Sequence, residues 1–301
     1  MLTDSNQIGS SKATFGLVLS TFFWGGSFVF NKIGFRDIPP VTFLFFRFTI
    51  AALVMALVCL PRLRKLNLAT MKSGVLVGFA LAATNVSFVL GVSGTSASRA
   101  GFLNNLFVLI NPLCCFLFWR EKMDRWTVAG LFMAMAGLWQ LAYGGLEGFN
   151  RGDVISTLCA FFIAFHIISV SKLLTDEDIY LVSLVQFATV AAVGGILYAI
   201  LPAEPFAITA ASGGSLVYCA IFPTVVAFTL MNTYQRFTTP TKAGLIYTLD
   251  PVWSMVGGML ILGERLSPGE LFGCALIFGA VVLPLSVKRL RERQLGLAYA
   301  E

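Results

Sequence analysis

Apolar positions along the 301-residue chain gather into ten long, almost uncharged stretches separated by short polar links. About twenty apolar residues match the ~30 Å thickness of a bilayer core at 1.5 Å rise per residue. Inside lipid every backbone N–H and C=O needs an internal partner, so we expect helices rather than open strands. The predicted spans are 14–35, 40–60, 74–92, 97–119, 126–143, 153–173, 180–201, 215–236, 241–262 and 269–287. The pattern predicts an all-α integral membrane protein with ten transmembrane helices.

The composition agrees with this pattern. Hydrophobic residues make up 57% of the chain and charged residues only 12%, whereas a soluble domain has roughly a quarter of its residues charged. The longest polar link, from Leu201 to about Gly214, is too short for a soluble domain. The first span ends at Lys32 and Arg36 without a small-residue cleavage site, so we expect it to be retained.

The net charge of +6 is distributed unevenly between the two sides of the predicted membrane. With ten spans and a cytoplasmic N-terminus, fifteen Lys and Arg residues lie on the cytoplasmic side, five lie opposite, and Arg47 lies within a span. This positive-inside bias predicts a multi-pass protein of the cytoplasmic (inner) membrane with both termini cytoplasmic. The basic segment 288–293 then indicates an anchor on membrane lipid rather than a nucleic-acid site.

The chain contains an internal duplication. At an offset of 143 residues, positions 95–106 align with 238–249 without a gap, and the match continues to Gly130 on Gly273. Earlier in each half an offset of 139 aligns better, as for Phe48 on Phe187. We therefore predict an N-terminal tail (1–13), a first five-helix repeat (14–143), a second five-helix repeat (153–287) and a basic tail (288–301).

An odd number of spans per repeat has a geometric consequence. The second repeat must enter the membrane from the opposite side, so the halves are inverted about an axis in the membrane plane. Many secondary carriers are built this way, with the substrate site near the midplane between the repeats. A duplicated membrane scaffold without transport is the alternative.

Several motifs resemble one known family. They are Trp24-Gly25-Gly26-Ser27-Phe28, Pro39-Pro40 with Arg47, Thr95-Ser96-Ala97-Ser98-Arg99-Ala100, Arg120-Glu121-Lys122-Met123 and Gly263-Glu264-Arg265-Leu266-Ser267. Together they resemble the EamA-type repeat of the drug/metabolite transporter superfamily, over about residues 14–285. The aromatic-rich spans are similar to the YddG-like amino-acid exporter branch. The resemblance implies ten helices, an inverted repeat, and export or exchange of small metabolites.

Motifs for other chemistry are missing from the sequence. The phosphate-binding pattern GxxxxGK[ST] and the zinc pattern HExxH do not occur, and the chain has one histidine. The six cysteines all fall within apolar spans, without metal-ligand spacing. We expect no cofactor, no metal and no enzymatic activity.

Polar groups at membrane depth are the remaining candidates, because each costs a few kcal/mol unless it faces a cavity or a partner. Tyr247, Asp250 and Ser254 share one face of the ninth span. At the 143 offset they align with Asn104, Phe107 and Asn111 of the fourth span. Two such stripes facing each other would line a central cavity. Asp250 could exchange a proton or contact substrate there, or it could be a structural carboxyl.

Other candidates carry alternative interpretations. Arg47 could hold a carboxylate or pair with Asp250, or its long side chain could extend to the interface. His166 could contact substrate or relay protons, or could be a hydrogen-bonded packing residue. Asn85, like Asn104 and Asn111, could bind a ligand or join helices. Trp24 and Trp253 could form an aromatic lining that suits amphipathic or cationic solutes.

The sequence therefore predicts a secondary transporter that exports or exchanges small organic metabolites, amino acids or amphipathic and cationic compounds, by alternating access. Proton coupling is an open option, and so is the oligomeric state. The partners are a small-molecule substrate and membrane lipid. The alternatives are an intramembrane enzyme, which would need clustered titratable residues at one depth, and a non-transporting assembly subunit.

Overall fold

A computed structural model describes residues 4–94, 97–142, 150–174, 177–202, 204–263, 265 and 267–297. Thr95, Ser96, Glu264 and Leu266 of the repeat motifs lie outside the described residues. So do the side chains of Arg99 and of the basic segment 288–293. Throughout the described chain the regular elements are helices, without strands.

The helices, in chain order, are α1 (Asp4–Gly34), α2 (Pro40–Cys59), α3 (Leu68–Gly94), α4 (Ala97–Asn105), α5 (Phe107–Trp119), α6 (Arg125–Ala142), α7 (Arg151–Leu173), α8 (Ile179–Ile200), α9 (Ala210–Ala220), α10 (Ala227–Tyr234), α11 (Pro240–Tyr247), α12 (Asp250–Leu262) and α13 (Pro268–Leu297). A π-helical segment, Ile221–Val226, joins α9 to α10. Short 3₁₀ turns follow α2 and α10, at Leu60–Lys65 and Gln235–Phe237.

These helices form the ten predicted membrane segments. The fourth segment is broken into α4 and α5, and the ninth into α11 and α12. The eighth segment consists of α9, the π-helical turn and α10. Nine segments of the described chain are long and apolar enough to cross a membrane, and α6 lies where the remaining span was predicted. The helices α1, α3 and α13 extend several residues beyond the predicted spans, because hydropathy marks the lipid boundary and not the end of a helix.

The repeat is visible in the backbone. Shifted by 143 residues, Ala97 falls on Pro240, where α11 begins, and α5 falls on α12 at both ends. The break at Leu106 therefore has its mate at Leu249. The left-handed caps also correspond, with Arg120 at φ 52° ending α5 and Gly263 at φ 68° ending α12.

The helix packing has the same symmetry. Helix α2 packs against α8, and α6 packs against α13. In both pairs a helix of the first repeat contacts the corresponding helix of the second. The contact of α3 with α7 has its counterpart in α1 with α9 and α10. The predicted architecture of two inverted five-helix repeats is confirmed.

Candidate functional site

Two connected cavities lie between the repeats. A deep cavity of about 160 Å³ is lined by α1, α2, α3, α4, α7 and residues at the break of α11 and α12. A larger vestibule of about 520 Å³ lies beside it, between α1, α3, α4, α6, α12 and α13. Both are bordered by Phe28, Asn31, Phe88, Gly101 and Asn105, so the deep cavity leads into the vestibule.

The two ends of the molecule differ. The open end carries the vestibule, with Lys32, Arg36 and Glu270 among its lining residues. The closed end is the opposite end, where α5 packs against α11 and Lys172 bonds Glu121. The halves of the broken segments thus meet at one end and line a cavity at the other.

Arg47 is held by the π-helical segment. The wider turn contains Pro223, which has no backbone N–H, and Thr224, whose hydroxyl donates to the Cys219 carbonyl at 2.7 Å. The Thr224 hydroxyl accepts a hydrogen bond from Arg47 Nε at 2.7 Å. Arg47 is 8% exposed and lines the deep cavity instead of reaching the interface. Within the described chain its guanidinium forms no ion pair, and it lies 5.5 Å from the Phe48 ring centroid.

Asp250 and Asn104 present unbonded polar atoms in the same cavity. Asp250 is the first residue of α12, directly after the helix break. Its Oδ1 is buried and forms no hydrogen bond with the described residues. The side-chain nitrogen and oxygen of Asn104 are also buried and form no hydrogen bond with the described residues. Buried polar groups without protein partners are rare and costly, so Asp250 and Asn104 are the candidates in this cavity for contact with a solute.

Aromatic rings form another wall of the deep cavity. The Trp24 ring centroid lies 5.1 Å from that of Phe228 and 5.2 Å from that of Tyr247. The Trp24 Nε1–H donates to the Pro223 carbonyl at 3.0 Å, which fixes the ring. Phe28, Phe88 and Phe107 also line this cavity. A mainly apolar wall with a few polar groups is typical of small-molecule sites.

His166 belongs to a buried polar network. Its Nε2 lies 2.9 Å from Gln186 Nε2, and Gln186 Oε1 accepts from Asn232 Nδ2 at 2.8 Å. The same Asn232 amide donates to Ser183 at 3.0 Å. The network joins α7, α8 and α10, with His166 at the cavity wall. At the 139 offset Gln186 is the mate of Arg47 and His166 the mate of Ser27, so aligned positions meet around one site.

A second buried network seals the closed end. The Tyr247 hydroxyl donates to Gln235 Oε1 at 2.7 Å. Gln235 Nε2 donates to the Ile167 carbonyl at 2.6 Å and to Ser171 at 2.7 Å. Because Tyr247 also lines the deep cavity, this network is continuous with the candidate site.

Three further contacts hold the closed end. Asn111 Nδ2 donates to the Pro240 carbonyl at 2.6 Å and joins α5 to α11. Near the surface Lys172 Nζ lies 2.7 Å from Glu121 Oε1, and Lys242 Nζ lies 3.9 Å from Asp124 Oδ2. These polar contacts join the helices of the closed end.

The structure brings most of the predicted site residues together. Those that line the deep cavity are Trp24, Arg47, Asn85, Asn104, His166, Tyr247 and Asp250. Ser254 lines the vestibule. Asn111 lies at the closed end, outside both cavities, and Trp253 bonds Thr21 at 3.0 Å beside Phe22.

Other polar residues of the site were not singled out from the sequence. Thr224 and Gln235 read as ordinary residues of the eighth span, since single hydroxyl and amide residues are common at helix contacts. Pro223, one residue before Thr224, is the available signal of an irregular turn. Of the residues described, no group of three or more His, Cys, Asp or Glu side chains could hold a metal ion.

The fold and the cavity define a class of protein: a membrane transporter made of two inverted repeats around a central site. The EamA-like transporter family model matches residues 11–143 and 150–286. The chain therefore belongs to the EamA-like transporter family, as its motifs predicted.

Relatives and a solved structure agree with this assignment. An uncharacterized transporter of Archaeoglobus fulgidus is 28% identical over 271 residues, covering 90% of this chain and 85% of the relative. An S-adenosylmethionine/S-adenosylhomocysteine transporter of Chlamydia muridarum is 25% identical over 309 residues, covering 92% and 95%. A crystal structure of 19% identity covers 93% of this chain and 99% of its own, with a TM-score of 0.78, and shares the fold.

Proposed function

We propose that this transporter carries small zwitterionic solutes with an apolar or aromatic part through the deep cavity by alternating access. The observation that carries the proposal is that Arg47 and Asp250 line one cavity without forming an ion pair. A charge at membrane depth is costly unless it is paired or solvated. A zwitterion supplies a carboxylate for the guanidinium and an ammonium for the carboxylate, so its binding satisfies both.

The aromatic wall accounts for the rest of the solute. Trp24, Phe228 and Tyr247 offer an apolar surface and ring faces that attract cations. The deep cavity, at about 160 Å³, has room for an amino-acid head group. A larger substituent would extend into the vestibule of about 520 Å³. S-adenosylmethionine and S-adenosylhomocysteine, from the name of the Chlamydia relative, combine such a zwitterion with an aromatic base and are the first solutes to test.

Orientation follows from the charges at the two ends. The closed end carries basic residues that include Arg62, Lys65 and Lys242, in agreement with the positive-inside expectation that this end is cytoplasmic. The vestibule then faces outward, a state from which an exporter releases solute or an exchanger takes it up.

A solute series in proteoliposomes tests the charge assignment. Phenylalanine, phenethylamine and phenylpropionate share an aromatic ring and differ in their charged groups. We expect phenylalanine to inhibit S-adenosylmethionine flux at least tenfold more strongly than either single-charge analogue. Asp250→Asn should remove its advantage over phenylpropionate, because the ammonium then loses its partner. Equal inhibition by all three, or by none, would contradict the zwitterion site.

Proton coupling is a separate part of the proposal. Asp250 is the one carboxyl residue that lines the deep cavity within the described chain, so we assign the exchanged proton to it. Flux driven by an imposed pH gradient should become independent of that gradient in Asp250→Asn. Arg36→Gln, which changes a cation of the vestibule and not of the deep cavity, is the control. Gradient-driven flux that persists in Asp250→Asn excludes this assignment.

A further inference from the structure

At the closed end, a glycine makes the contact between the broken segments possible. Gly244 of α11 faces Asn111 of α5, and a Cβ on Gly244 would lie 2.8 Å from Asn111 Nδ2. The same Nδ2 donates to the Pro240 carbonyl at 2.6 Å. A side chain at this position would displace the Asn111 amide, which joins the two helices.

The mates of these residues lie at the open end. At the 143 offset Gly244 corresponds to Gly101, Asn111 to Ser254 and Pro240 to Ala97. Gly101 and Ser254 line the vestibule, one on α4 and the other on α12. A Cβ on Gly101 would meet no described atom of another element within 4 Å. One glycine is thus packed tightly while its mate faces open space.

We propose that Gly101 and Ser254 form the second gate, which closes when the transporter opens to the other side. Inverted repeats can exchange conformations, so the contact between α5 and α11 in this state predicts a contact between α4 and α12 in the opposite state. Ser254 then packs on Gly101, and its hydroxyl faces the Ala97 carbonyl, as Asn111 faces Pro240 now. This inference rests on the proposed alternating access, whereas its crosslinking test needs no substrate.

A larger residue at Gly101 should reduce transport without reducing the stability of the protein. A Cβ added there meets no described atom within 4 Å and Gly101 borders the vestibule, so we expect Gly101→Leu to fold and unfold thermally like the unmodified protein. It should, however, occupy the space that Ser254 needs for closure. We expect S-adenosylmethionine flux, or flux of any solute found to be transported, to fall at least tenfold. Gly101→Leu with normal flux would overturn the proposal.

Disulfide crosslinking tests the gate directly. In a background without the six native cysteines, Gly101→Cys is combined with Ser254→Cys, and Asn111→Cys with Gly244→Cys in a matched protein. The second pair is in contact in the structure and should crosslink readily on oxidation. The first pair should also crosslink, more slowly, as the open end closes.

The outcomes separate this proposal from the choice of substrate. Formation of the disulfide in Gly101→Cys/Ser254→Cys on oxidation supports the gate. If only the Asn111→Cys/Gly244→Cys pair crosslinks, the gate at Gly101 is wrong. Absence of zwitterion transport with both pairs crosslinking contradicts the proposed solute and leaves the gate intact.

Discussion

The open and closed ends of the molecule contain matching backbone elements with different partners. At the closed end Tyr247 donates to Gln235, and Asn111 donates to Pro240. Asn104, the mate of Tyr247, lines the deep cavity with both amide atoms unbonded to the described residues, and Ser254, the mate of Asn111, lines the vestibule of the open end. The backbone therefore follows the repeat, whereas the side-chain contacts differ between the two ends and define one state of the transporter.

A second difference concerns charge. Arg47 of the first repeat aligns with the neutral Gln186, and Asp250 of the second aligns with the apolar Phe107. Each repeat therefore contributes one charge to the deep cavity, and neither repeat contributes both. The site between the two repeats can thus have a positive side and a negative side, and this difference can orient a solute.

The largest expected effect comes from removing the charge difference. Arg47→Gln gives the first repeat the residue that the second already has. Hydrogen bonds to charged groups contribute about 1.5–3 kcal/mol, so zwitterion flux should fall by ~10- to 100-fold. Flux into proteoliposomes measures this, with Arg36→Gln as the matched control. Equal losses in the two variants would indicate a general electrostatic effect and not a ligand contact.

The paired glycines give the next largest effect. Gly244→Ala should destabilise the protein by about 1–3 kcal/mol, because the new methyl group overlaps Asn111. Gly101→Ala should leave stability unchanged or raise it by up to ~1 kcal/mol, because alanine favours the helix. Thermal unfolding in one detergent measures both. Equal destabilisation by the two substitutions would show that Gly101 is packed as tightly as Gly244, which contradicts the structure.

Tyr247→Phe tests the network of the closed end. Loss of the hydroxyl leaves Gln235 Oε1 without its donor, at a cost of about 1 kcal/mol, and should shift the two states roughly fivefold toward the inward-facing one. The readout is thiol labelling of Thr241→Cys on α11 from the closed side. Tyr234→Phe, a phenylalanine replacement on α10, is the control. Unchanged labelling in Tyr247→Phe would show that the Tyr247 hydroxyl does not help to close this end and that Tyr247 only lines the cavity.

The smallest effect is expected at the surface of the closed end. Lys172 and Glu121 are 34% and 28% exposed at their side chains, and such pairs contribute at most ~1 kcal/mol. Lys172→Gln should therefore change thermal stability and labelling of Thr241→Cys only slightly. If Lys172→Gln changed the labelling rate as much as Tyr247→Phe does, the surface ion pair, and not the buried network, would be the main contact that closes this end.

Much of the fold could be predicted from the sequence, because each backbone feature leaves a local signal. Long apolar stretches predict the helices, and the 143-residue offset predicts which helices correspond. The stripe of Tyr247, Asp250 and Ser254 also indicated a cavity, since its spacing fixes one helix face.

The parts that could not be predicted depend on contacts between distant segments. Leu106 breaks the fourth segment without a proline at that position, since Pro112 lies six residues later. Asn111 continues the polar stripe of Asn104 yet lies at the closed end, because the break separates α4 from α5. Gln235 gains its role only when Tyr247 and Ser171 approach it from other helices.

Alternating access through the deep cavity requires that the two ends of the transporter become accessible in turn. Single thiols at Ser254→Cys and Thr241→Cys, in a cysteine-free background, are labelled from each side of oriented vesicles with a membrane-impermeant maleimide. We predict that Ser254→Cys is labelled only from outside and Thr241→Cys only from the cytoplasm, and that Tyr247→Phe lowers the first rate while it raises the second. Labelling of both positions from one side, or rates that rise and fall together, would contradict alternating access through this cavity.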